Sequence, residues 1–210
     1  MVTCVTADAR QPRYPAKRAA IAAAALALFV RDGYERTSVD AIAAEAGVSK
    51  RTVYSHYADK QQLFLSVVEA TYDQLMEQVS GIAAEHLDGP GSLEHRLRGF
   101  IGGIARQTGR SAERAALLRL VLTEAPHFPA LIEQWQGRRS LTPLLARTLA
   151  GPGAAGLAIA DPALAADHLS ALTFGQINNL SLIGLIQLSD DELDSIVDGG
   201  IAVFLRAYRA

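Results

Sequence analysis

Six residues between positions 50 and 56 carry groups suited to a nucleic acid: Lys50, Arg51, Thr52, Tyr54, Ser55 and His56. The two cations can neutralise phosphates, and the hydroxyls and imidazole can hydrogen-bond base edges. Val53 and Tyr57 stand four apart, so one helical turn places both on a single inner face. A short helix over Lys50–His56, polar outside and apolar inside, suits the major groove.

Other residues must position that helix. Ser49 is the expected N-cap. Gly47 supplies a turn, and Val48 packs it inward. Upstream, a first short helix is predicted from about Val39 to Ala46, with Val39, Ile42, Ala43 and Ala46 on one face. Thr37 is its expected N-cap, and Asp40, three residues on, would complete a threonine/acid capping box. Downstream, Asp59 caps a further helix with Gln62 at its N3 position. Lys60 falls in that helix's first turn, where the dipole already favours an anion.

Taken together, Thr37-Ser38-Val39, Ile42-Ala43, Ala46-Gly47-Val48-Ser49, Thr52-Val53-Tyr54, His56-Tyr57 and Lys60-Gln61-Gln62-Leu63-Phe64 resemble the DNA-binding domain of the tetracycline-repressor (TetR) family. The likeness runs from near Lys17 to near Phe64 without a gap; beyond it only the general layout is similar. It implies an all-α homodimer of about nine helices. An N-terminal three-helix helix-turn-helix domain would bind operator DNA. A C-terminal helical ligand-binding and dimerisation domain would release it, as a repressor, when a small-molecule effector enters. The resemblance also implies that Thr37 and Lys60 hold phosphates, as Tyr57 or His56 do in part. Lys50, Arg51, Thr52 and Tyr54 would reach bases or their surroundings, and Ser38 and Ser49 complete the expected set. Core packing is the competing role for Tyr54 and Tyr57. Lys60→Ala is expected to weaken all sequences alike and lower the salt slope by about one, whereas Arg51→Ala or Thr52→Ala should change sequence preference. Two recognition helices in a dimer need half-sites roughly 34–36 Å apart, or a multiple, and so a palindromic operator.

Composition agrees with this reading. Half of the 210 residues are apolar, and alanine and leucine dominate, which favours helices. The formal net charge of −2 is unevenly spread. Residues 1–60 carry nine Lys/Arg against six Asp/Glu, and the remainder eleven against sixteen. A basic end and an acidic end fit one face turned to nucleic acid. Cys4 is the single cysteine, so an internal disulfide and a thiolate zinc site are excluded. Lys17-Arg18 before an apolar run looks like part of a signal peptide. The run starts late, Arg31-Asp32-Gly33 follows in place of a small-residue cleavage site, and cleavage would remove a helix the DNA-binding unit needs. A cytoplasmic protein is expected.

Residues 1–14 contain Pro12, lack apolar periodicity and read as a mobile arm, with Arg10 and Arg13 near DNA or simply solvated. The helix-turn-helix domain spans 15–61. Its first helix, about Ala16 to Asp32, packs through Ile21, Ala25, Leu28 and Phe29 and ends at Gly33. Residues 62–210 form the second domain. A helix from Lys60 to about His86 links the two. Ser92 caps the next, with Leu93, Leu97, Phe100, Ile101 and Ile104 inward; its Gly102-Gly103 pair serves close packing or makes room for a ligand. A helix from about Ser111 to Glu124 turns Ala115, Leu118 and Leu122 inward. Another, Pro129 to about Ala150, should kink or split at Pro143. Asp161-Pro162 opens a long helix to about Leu188. From Leu169 onward it is uncharged and long enough for a bilayer, but Gln176, Asn178, Asn179 and Gln187 would be costly in lipid and no basic cluster flanks it. No membrane contact is expected. Ser189 with Glu192 makes a capping box for the last helix. The two C-terminal helices are expected to pair with their copies in a homodimer.

The effector site is expected among Phe100, Arg119, Phe128, Trp135, Phe174, Gln176 and Asn178, an apolar set with few polar groups that suggests a neutral or aromatic ligand. No nucleophile elbow, phosphate loop, paired-histidine metal motif or Rossmann glycine pattern appears, so no catalytic residue, metal or cofactor is expected. The alternative is a helical dimeric ligand-binding or adaptor protein without specific DNA binding.

Overall fold

A computed structural model describes residues 13–109, 112–128 and 141–210. The chain divides into two compact units, one up to Thr71 and one from Tyr72. Among the described residues helix follows helix, and an isolated bridge between Leu157 and Arg209 is the nearest approach to a sheet. None of the described helices is long and apolar enough to cross a membrane. Of the expected arm 1–14, residues 1–12 lie outside the described residues, as do the segment 129–140 and Trp135, whereas Arg13 and Tyr14 belong to the first helix.

The first unit contains α1 (Arg13–Asp32), α2 (Val39–Glu45), α3 (Lys50–His56) and the first turns of α4 (Lys60–His86). The expected stripe of Ile21, Ala25, Leu28 and Phe29 is buried, as are Val39, Ile42, Val53, Leu63 and Phe64. Burial of each of these side chains except that of Ala25 contributes about 1.5–3 kcal/mol. Phe29, Tyr34 and Phe64 form an aromatic cluster with centroids 5.0–5.7 Å apart, the Phe29–Phe64 pair edge to face.

One cap differs from the sequence reading. Thr37 is buried, and its Oγ1 donates to the carbonyls of Gly33 at 2.7 Å and Leu28 at 3.2 Å. A hydroxyl spent on the carbonyls that end α1 cannot cap α2. Ser38 does so, in extended backbone, accepting from the Ala41 amide at 3.1 Å. Asp40 is therefore no part of a box with Thr37. At the head of α4 the expected pair does act: Asp59 accepts from the Gln62 amide at 2.7 Å, and the Gln62 side chain reaches back to the amide of Ala58 at 2.6 Å.

The second unit holds the rest of α4, then α5 (Leu93–Gly109), α6 (Ala112–Glu124), α7 (Thr142–Leu149), a 3-10 turn (Pro152–Ala154), α8 (Pro162–Ser170), a π turn (Ala171–Gly175), α9 (Gln176–Leu180) and α10 (Asp190–Ala207). The expected face of α5 is buried. A Cβ on Gly103 would come within 3.0 Å of Ile82, so that glycine serves close packing on α4. Arg98–Asp198, at 2.6 Å, and Arg106–Asp194 tie α10 to α5.

Two expectations change here, those for α6 and for the long helix after Asp161. In α6 the buried face is Leu117, Leu120 and Val121, while Leu122 is 44% exposed. Its sequence is apolar on nearly every side, so periodicity could not select the face. Pro143 sits in the first turn of α7, so the break expected at this proline takes the form of a helix start; the preceding segment 129–140 lies outside the described residues. The long helix expected to reach Leu188 is interrupted by the π turn and stops at Leu180. There the Ile183 amide donates to Asn178 O at 2.8 Å and the Leu182 amide to Asn179 O at 3.2 Å, the Schellman pattern. Leu182, Ile183 and Gly184 all have positive φ, of 47°, 58° and 75°.

Candidate nucleic-acid interface

Every joint of the α2–α3 pair is closed by a hydrogen bond. Gly47, at φ +63°, ends α2. Its amide donates to Ala44 O at 3.2 Å and that of Val48 to Ala43 O at 2.9 Å, again a Schellman stop. Ser49 follows in extended backbone and caps α3, accepting from the Thr52 amide at 3.1 Å and pairing with the Thr52 hydroxyl at 2.8 Å. Val53 and Tyr57, 2% and 4% exposed, anchor the inner face.

The outer face is polar. Tyr54 is 47% exposed; Lys50, Arg51 and Ser55 are exposed, Thr52 and His56 half-buried. Lys50 donates to Asp40 at 2.8 Å across the turn. That carboxylate, by hydrogen bond first and charge second, holds the ammonium above its ordinary range. Arg51 makes no ion pair among the described residues, which leaves its guanidinium available to a phosphate or a guanine edge. The Ser55 hydroxyl donates to Thr52 O at 2.7 Å.

Two expected contacts have structural partners. Tyr57 is in the core, with the Arg18 guanidinium 5.8 Å from its ring centre. Lys60 donates to the carbonyls of Tyr34 (3.0 Å), Thr37 (3.2 Å) and Glu35 (3.4 Å), and its ammonium lies 4.2 Å from the Tyr34 ring centre. Those carbonyls satisfy its three protons, so the geometry makes it the clasp of the α1–α2 loop. Arg18, exposed at the end of the recognition surface, is a cation the sequence reading used only in testing for a signal peptide. Its approach to Tyr57 is a tertiary contact, with no local spacing to reveal it.

Most of this constellation lies within the reach of a family model. The N-terminal model, of bacterial regulatory proteins of the tetR family, covers residues 21–67, and a second, the C-terminal domain of AefR-like transcriptional repressors, covers residues 101–210. The chain belongs to the TetR family. A putative TetR-family regulator from Mesorhizobium loti has the same fold, with a TM-score of 0.82 and 28% identity over 95% of this chain and all of that one. The flavonoid-responsive regulator FrrA follows, with TM-score 0.72 and 28% identity over 93% and 98%. The DNA-binding transcriptional repressor TetR of Mycobacteroides abscessus is 29% identical over 137 residues, 65% of this chain and 62% of the relative. The chain matches only 57–62% of the length of such curated relatives.

The residues expected to hold an effector are scattered in this TetR-family chain. Phe100 is wholly buried in the second unit's core, and Phe128 is 6% exposed. Arg119 donates to Ile183 O at 3.2 Å. Phe174, on the π turn, packs half-buried against the core, while Gln176 and Asn178 are exposed. Among the described residues a cleft of about 290 Å³ lies elsewhere, lined by Leu87, Asp88, Arg96, Arg147, Thr148 and loop 151–153.

Proposed function

We propose that this protein is a homodimeric, operator-binding repressor that acts in the cytoplasm without catalytic chemistry and lets go of DNA when a small molecule binds its second domain. The observation that carries the reading is the presentation of α3. Gly47 and Ser49 fix its start and Val53 and Tyr57 its inner face, leaving Lys50, Arg51 and Tyr54 pointing outward. Residues 15–61 are the reading domain in this account, and 62–210 the ligand-binding and dimerisation domain.

Arg51, Thr52 and Tyr54 read bases; Lys50 exchanges Asp40 for phosphate; Ser38, Ser49 and His56 contact the backbone, joined by Arg18. The support for a dimer is apolar surface. Leu164, Leu180, Leu182, Leu185, Ile186 and Val203 are each between 47% and 65% exposed on the C-terminal helices and their link, a set that a copy of the same face would cover. The name of FrrA, at 28% identity, supports a flat aromatic effector of the neutral kind that the apolar second domain suggests.

The test is binding to a pool of short duplexes across a salt series. Selection of one palindrome, with affinity falling steeply as salt rises, is expected. Sequence-blind binding by the folded dimer would overturn the reading.

A further inference from the structure

We propose that the cleft beside the end of α4 is a binding site for a small organic monoanion, which it takes by its carboxylate between Arg96 and Arg147. The cleft, of about 290 Å³, lies wholly in the second unit, between the residues that follow α4, the first turns of α5 and the loop after α7. That volume is at the small end of ligand sites.

Arg96 reaches back from α5 so that its Nη1 donates to Leu87 O at 2.9 Å. Its Nε is buried with no hydrogen-bond partner. A guanidinium that has one neutral carbonyl keeps its whole charge, and a buried N–H without an acceptor is rare enough to need a cause. A Cβ on Gly153 would lie 2.1 Å from Nη2. Glycine there lets the loop backbone close on the guanidinium, shaping a wall that any side chain would push away. A helix cap for α4 would account for Nη1 alone.

The second cation completes the site. Arg147, in the last turn of α7, faces Asp88 at 3.6 Å, and both side chains are more than 60% exposed. At that distance the pair orients Arg147 without consuming its donors. Two guanidinium groups and one carboxylate leave a single positive charge. The planar forks match a carboxylate, and Asp88 opposes a second negative charge. A monoanion is selected over a dianion, and a charged ligand over its neutral isostere. No residue of the site lies in the DNA-reading unit, so it stands or falls apart from the operator reading.

The test is calorimetric titration of the full chain with benzoate, with phenyl phosphate and benzamide as comparison arms. Benzoate is expected to bind once per chain, phenyl phosphate more weakly and benzamide not at all. Arg147→Gln removes an exposed side chain and should weaken benzoate about tenfold or more; Arg206→Gln, a change on the exposed face of α10, should leave it unchanged. Any of four results overturns the proposal: no benzoate binding to folded protein up to about 10 mM, beyond millimolar affinity; equal binding of benzamide; tighter binding of phenyl phosphate; or equal effects of the two arginine variants.

Discussion

Two helices in this protein stop with the same hydrogen bonds and different residues. At the end of α2 the left-handed position is Gly47, and a Cβ there would meet nothing within 4 Å. At the end of α9 it is Leu182, followed by Ile183 and Gly184, all at positive φ. An L-residue in that region costs about 1–2 kcal/mol, and a β-branched one is a clear outlier. The first stop is relaxed. The second is held by its surroundings: Arg119 donates to Ile183 O, the Ser181 hydroxyl accepts from the Gly184 amide at 3.0 Å, and Gly184 lies so close to α6 that a Cβ would come within 2.5 Å of that of Ala115. The first unit sets its joints with local chemistry, while the C-terminal turn depends on tertiary contacts and sits amid exposed apolar side chains.

The contrast can be broken at its strongest fastening first. Lys60→Met removes three charge-assisted bonds from the α1–α2 loop and should lower stability by about 2–3 kcal/mol in chemical denaturation, before any DNA is added. Unchanged stability with a salt slope reduced by one would return Lys60 to a purely phosphate-binding role. Gly47→Ala should cost about 1–2 kcal/mol from backbone conformation alone, since space is open. Leu182→Gly should act in the opposite sense at concentrations too low for the homodimer, raising thermal stability by about 1 kcal/mol because it relieves the strained position. As the concentration rises, the gain should shrink or reverse, because the proposed dimer covers this leucine; a gain that did not depend on concentration would remove Leu182 from the dimer face. Asp40→Asn should leave the melting temperature within error yet tighten operator binding, by releasing Lys50; equal affinity would mean that Lys50 makes no phosphate contact. The smallest effect concerns pH. Glu192 accepts from the Ser189 amide and hydroxyl, the amide bond being the larger cause, which holds its carboxyl below the usual range. A lowered folded pKa gives stability that is complete above the ordinary carboxylate range and lost as pH falls through and below it. The start of α10 should therefore loosen on acidification, read by amide exchange, and Glu192→Gln should flatten that response.

The same contrast explains what could be read from the sequence. The bounds of α3 and α4, the Ser49 and Ser189 caps and the buried pair Val53 and Tyr57 were legible because each depends on residues a few positions apart. The stop at Leu180 was not. No glycine or proline marks the αL position, and the run from Leu169 to Leu188 has the composition of an unbroken buried helix. Thr37 was misread for a related reason: Thr37 and Ser38 both suit a cap, and only the carbonyls of Leu28 and Gly33, supplied by α1, decide between them. The outward residues of α3 were found from type and spacing. The intramolecular contacts of Lys60 and Arg18 were not, because their partners lie more than twenty residues away in the chain.

The residues that hold α3 in place and the residues it shows to solvent are nearly separate sets. Gly47, Ser49, Val53 and Tyr57 carry the fixing; Arg51 and Tyr54 support nothing else in the described structure. Such a helix works like an interchangeable label on a fixed bracket. If α3 reads DNA as proposed, changing those two outward side chains would alter the sequence it selects while leaving the folding of its unit untouched.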